Sequence, residues 1–239
     1  MRYYILYLAL VILGVNSCNN DPEPEPLPEE DRAYITLYNF LSEPFEVKWE
    51  VDEVEVRDAH SYATIIVGGV LLDGESEEIS FVVNNGFNGL FLESKTIRMT
   101  KDKYYIAVIF GTEEDPVLLC QELETSPPAS DHLNIRFLHA TESLDTVDVY
   151  IGGTSNEKML ISGLTFGSIS DYEVVSDNDV RASVTVTLHD SIYKEENELL
   201  SYDDNNLVKN NSNNLTVIAP STNTSPSVLT VWLYEQPKE

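Results

Sequence analysis

The chain predicts an all-β protein built as two tandem immunoglobulin-like β-sandwich domains, and three observations predict it. After Arg32 the sequence divides into short runs rich in β-branched and aromatic residues, many of them alternating apolar with polar. Asn-Gly, Gly-Gly and Asp-Gly turn signals separate the runs at the spacing of a sandwich. The apolar pattern also recurs. Adding 100 to residues 33–50 sets Ile35 on Ile135, Leu37 on Phe137 and Val47 on Val147, and adding 111 to residues 104–123 sets Ile106 on Val217 and Val117 on Val228. The wider second offset implies extra residues in the second copy, and residues 197–214 are the place for them.

The elements follow in order. Met1-Arg2 and the apolar run from Ile5 to Val15 have the length of a secretory h-region and fall short of the roughly 18–20 residues that span a bilayer. With Val15, Ser17 and Cys18 in register, residues 1–17 resemble a bacterial lipoprotein signal, and the resemblance implies cleavage before Cys18 and lipidation of its thiol. Several acyl chains on one cysteine give stable anchoring, because each buried methylene contributes about 0.8 kcal/mol. Residues 18–31 form an acidic tether with alternating prolines, which favour extended polyproline II. At about 3.1 Å per residue it holds the folded part roughly 40 Å from the lipid. Acidic residues soon after the cysteine resemble surface-export signals of Bacteroidetes lipoproteins, which implies an outer-membrane lipoprotein displayed at the cell surface, the alternative being one that faces the periplasm.

The first domain is expected over 32–125, with strands at 34–40, 45–51, 63–72, 78–83, 89–93, 95–99, 104–110 and 116–123. A Pro-Pro hinge at 126–132 leads to the second domain, 133–239. Its strands are expected at 133–139, 146–151, 159–161, 170–174, 182–188, 215–219 and 228–234, and residues 193–202 read as a loop with a single helical turn. The run from Asn134 to Ala140, then Val147-Asp148-Val149-Tyr150, then Gly163-Leu164-Thr165-Phe166-Gly167, resembles the domain-of-unknown-function 4397 family. That resemblance covers the second domain to about Ser191 and the first only thinly, where Asn39-Phe40 stands in place of His139-Ala140. It implies secreted or lipid-anchored β-sandwich modules, often paired, and no established activity.

Charge narrows the partners. The formal net charge is −27, and removing residues 1–17 deletes Arg2 alone, which leaves −28. Such a surface repels nucleic acid and anionic headgroups, so the contact with membrane is assigned to the lipid on Cys18. Catalytic signatures are scarce: the histidines (His60, His132, His139, His189) have no metal-ligand spacing, and no nucleophile elbow or phosphate loop occurs. Cys120 lies in an apolar run and reads as a core residue. No cofactor and no metal is expected. The acidic loops 176–179 and 203–206 lack an ordered calcium-ligand spacing.

The expected role is therefore a non-catalytic, lipid-anchored envelope binding module for glycans or other surface ligands. The alternative is a structural or adhesive component that assembles with other envelope proteins. The turn-rich segment 84–89 carries Phe87 among amides, so Phe87, Asn85 and Asn88 are candidate ligand contacts, with Phe87 equally able to plug the end of its own sandwich. His139 and Asp148, the polar residues of the family-like segment, are candidates for a small polar site and equally for structural bonding.

Overall fold

The computed structural model describes residues 31–42, 46–62, 65–123, 131–176, 183–189, 198–202, 213–220 and 229–235, with 126, 128, 129, 178 and 179. The signal, Cys18 and the tether through residue 30 lie outside the described residues, as do loop residues 203–206. Among the described residues sixteen strands form four four-stranded sheets.

In the first half β1 (Arg32–Leu41), β4 (Ile65–Leu71), β7 (Tyr104–Gly111) and β8 (Pro116–Glu122) make one sheet in the order β4-β1-β7-β8. Facing it are β2 (Val47–Val51), β3 (Val54–His60), β5 (Ser76–Asn85) and β6 (Phe91–Thr100), in the order β3-β2-β5-β6. The second half repeats both orders with β9 (His132–His139), β10 (Thr146–Ile151), β11 (Met159–Thr165), β12 (Glu173–Ser176), β13 (Val184–Leu188), β14 (Glu198–Tyr202), β15 (Asn213–Pro220) and β16 (Leu229–Glu235). Its sheets run β12-β9-β15-β16 and β11-β10-β13-β14. The all-β sandwich class is as the patterning requires. Within that class each half has its own connection, with a parallel pair at the centre of one sheet (β1 with β7, β9 with β15). A constant immunoglobulin domain instead runs 1-2-5-4 against 3-6-7.

Alternation assigns the faces. Ile35, Leu37, Ala107 and Ile109 turn into the first sandwich, where they meet Trp49, Phe81, Ile79 and Met99. Leu133, Ile135 and Phe137 turn into the second, against Val147, Val149, Val184 and Val186. The alternate residues are apolar too. Tyr38, Phe40, Ile106, Val108 and Phe110 pack with Leu138, Leu215, Val217 and Ala219 in a third core, between the two halves. Phe166 of the second half meets Phe110 of the first edge-on, with centroids 5.7 Å apart. The central strands are thus buried on both faces, and the sheets stack four deep.

Several local expectations change. The expected strands at 89–93 and 95–99 merge from Phe91 onward into one strand, β6, an edge strand whose polar Ser94, Lys95 and Thr96 stay exposed while pairing with β5 keeps the chain extended. Residues 198–202 form β14, not a helical turn, because pairing with β13 overrides a helix-compatible composition. β3 has no counterpart in the expected strands. It follows β2 through Asp52 and Glu53, whose φ of 50 and 65 describe a type I′ hairpin without the usual glycine. The repeat register also shifts. Leu37 faces Ala107 and Phe137 faces Thr216, so the offset there is 216 less 107, or 109, where sequence alignment suggests 111.

Candidate functional site

The β5–β6 turn is built around a side chain that points inward. Asn85 is buried, and its Oδ1 accepts the N–H groups of Phe87 at 2.8 Å and Asn88 at 3.3 Å. Its Nδ2 donates to Glu113 Oε1 at 2.6 Å. Asn88 Oδ1 in turn accepts the Leu90 N–H at 2.9 Å. The Gly86 N–H donates to Glu46 O at 2.7 Å, and a Cβ on Gly86 would stand 2.7 Å from that same oxygen, so only glycine fits this close approach. Asn85 therefore faces inward and holds the turn, while Asn88 bonds the turn through Oδ1 and is itself exposed. What projects beside it is apolar. Phe87 is 74% exposed, Leu90 62% and Phe91 60%, so Phe87 does not plug its sandwich and the three form one apolar tip.

His139 and Asp148 are both interior and have different partners. His139, at the end of β9, is fully buried; its Nδ1 accepts the Thr141 N–H at 3.3 Å, and its ring stands edge-on to Phe166. Burial lowers its pKa to about 4, against a smaller opposite effect from the Leu144 backbone, so the ring is neutral at physiological pH. Asp148 lies on β10 opposite Thr187 of β13 and is 2% exposed. Its Oδ1 accepts the Gly163 N–H at 2.8 Å and contacts His189 Nδ1 at 2.8 Å. Neither residue is open to direct contact with a ligand.

The partner of Asp148 is thus His189, which sequence reasoning did not join to it. The two are 41 positions apart, and only the pairing of β10 with β13 brings them together. With Asp148 accepting, the proton sits on Nδ1 and Nε2 is the basic nitrogen. Gly163, at φ +74, lies under the ring, where a Cβ would stand 3.4 Å from His189 Cε1. The pair ties the β11 bulge to the end of β13.

Two other sequence candidates resolve simply. In loop 176–179 the Asp179 carboxylate pairs with Lys158 Nζ at 2.9 Å and bonds Ser176, and the Lys158 bond holds its pKa below the usual carboxylate range. Cys120 is buried, and burial pushes its thiol up to about 12, so it stays protonated and inert. Among the described residues no group of three or more His, Cys, Asp or Glu is placed to hold a metal ion.

Comparison with known proteins adds little to this geometry. No family model matches the chain, and no curated protein matches it. Among solved structures, similarity is found to a carbohydrate-binding module of family CBM26 from Eubacterium rectale Amy13K, crystallised with maltoheptaose. The match covers 87% of this chain and 98% of that one, at 13% identity and a TM-score of 0.23. A likeness that slight transfers neither fold nor ligand.

Proposed function

We propose that this protein is a non-catalytic binding module of the cell envelope, anchored to the outer membrane by lipid on Cys18 and carrying its contact surface at the Phe87–Leu90–Phe91 tip. The observation that supports it is the rigid presentation of exposed apolar side chains. A turn held by Asn85, Asn88 and Glu46 needs little further ordering when a ligand docks, so more of the contact energy appears as affinity. A flat aromatic face suits a sugar ring, and glycan is the ligand class we assign. The inward turn of Asn85 favours a second reading, in which the tip is an apolar anchor for another envelope protein.

A glycan array probed with the purified chain and with Phe87→Ala separates these readings. Binding that falls at least about tenfold in the variant, with its thermal midpoint unchanged, is the result expected for a glycan module. A blank array with a folded chain rejects glycan, and Phe87-dependent capture of an envelope protein then carries the second reading.

A further inference from the structure

The junction of the two sandwiches forms a half-open cleft of about 350 Å³, lined in part by Gln121, Leu123, Arg136, Ile169 and Tyr172. Arg136 lies on β9 with its side chain on the face that meets the first sandwich, since it sits beside Leu215 of the shared core. It is only 3% exposed, yet its Nε and Nη2 have no hydrogen-bond partner. Tyr172 covers one face of the guanidinium, with Cζ 4.5 Å from the ring centroid. The edge of the guanidinium is left unpaired. Nε and Nη2 are the two donors of one guanidinium edge, the fork that a carboxylate meets with two parallel bonds. Gln121, which also lines the cavity, has its Oε1 likewise buried and unpartnered, and that oxygen calls for a donor.

We propose that this cleft is a binding site for a carboxylate-bearing small molecule, its carboxylate held edge-on by Arg136 and a neighbouring hydroxyl or N–H received by Gln121. Charge selects a monoanion. The other cation of the cavity, Lys103, is paired with Glu122 at 3.1 Å, so Arg136 is the cation left to receive an anion, with Asp171 as the further carboxylate of the lining. Asp171 and the overall charge of −27 oppose a dianion such as phosphate. Burial also lowers the Arg136 pKa, so the guanidinium gains from an anion that no described residue supplies. The site occurs once per chain, because residue 36, at the equivalent place on β1, is threonine. It stands apart from the Phe87 tip and does not depend on that reading.

Calorimetric titration of the full-length chain with glucuronate, N-acetylglycine, inorganic sulfate and the neutral methyl ester of glucuronic acid tests it. Glucuronate is expected to bind, the ester about tenfold or more weaker, and sulfate weaker than glucuronate. Arg136→Lys keeps the charge and loses the fork, and should weaken glucuronate about tenfold, while Phe87→Ala leaves it unchanged. N-acetylglycine matching glucuronate supports the site and assigns it to amino-acid carboxylates; glucuronate alone assigns it to acidic sugars. Absence of heat from both acids up to around 10 mM overturns the proposal, as does equal binding of acid and ester. The acid–ester comparison needs no variant, so it decides the matter even if Arg136→Lys fails to fold.

Discussion

At the scale of single residues the burial of polar groups decides their roles. His139 is the sharpest case, since nothing in its sequence context distinguishes a ligand from a core histidine. Its folded pKa of about 4 lies below the ordinary 6.5, so between these values the unfolded chain binds the proton more readily. Stability from this group is therefore fully present above pH 6.5 and is lost as pH falls toward 4, by about 3 kcal/mol at pH 4. Urea unfolding of wild type and His139→Gln across that window should show the wild type losing the extra amount. Parallel curves would mean that the ring is hydrated. Sequence did mark His139, Asp148, Asn85 and Phe87 as notable. It did not show that the first three are inside and the last outside, because period-2 alternation fails where strands end in turns.

At the scale of elements, local pattern identified most strands, several edge strands among them, but split β6 in two and missed β3 and β14. β6 and β14 are edge strands whose polar composition carries no alternation, so their partners define them. The β2–β3 turn shows a second limit. Asp52 and Glu53 both adopt positive φ, a conformation that costs about 1–2 kcal/mol for a residue with a Cβ and little for glycine. The sequence signal for the hairpin is absent because the residues are the wrong ones for it. Glu53→Gly is accordingly expected to stabilise the protein by about 1 kcal/mol, read as a rise in the thermal midpoint. A fall would mean that the Glu53 side chain makes a compensating contact.

At the scale of the molecule, the central strands serve two cores at once. Phe110 is fully buried between the halves, and its loss removes packing that both sandwiches share. Phe110→Ala should cost about 3–5 kcal/mol. Calorimetry of the wild type should show one cooperative transition. Two resolved transitions, with only one moved by Phe110→Ala, would show that the halves unfold separately.

By itself the sequence determined the all-β class, the twofold repeat and the acidic surface, because each is written in composition and in a period that any register preserves. The repeat offset illustrates the boundary: 109 and 111 differ by two, which leaves every side chain on the same face, so the apolar pattern cannot tell them apart. Only the tertiary structure decided that Tyr38, Phe40 and Phe110 face a third core, that Asp148 meets His189, and that Arg136 lies buried with an unpaired edge. Each of these joins strands distant in sequence, and a strand's own pattern records that a face is covered without recording what covers it.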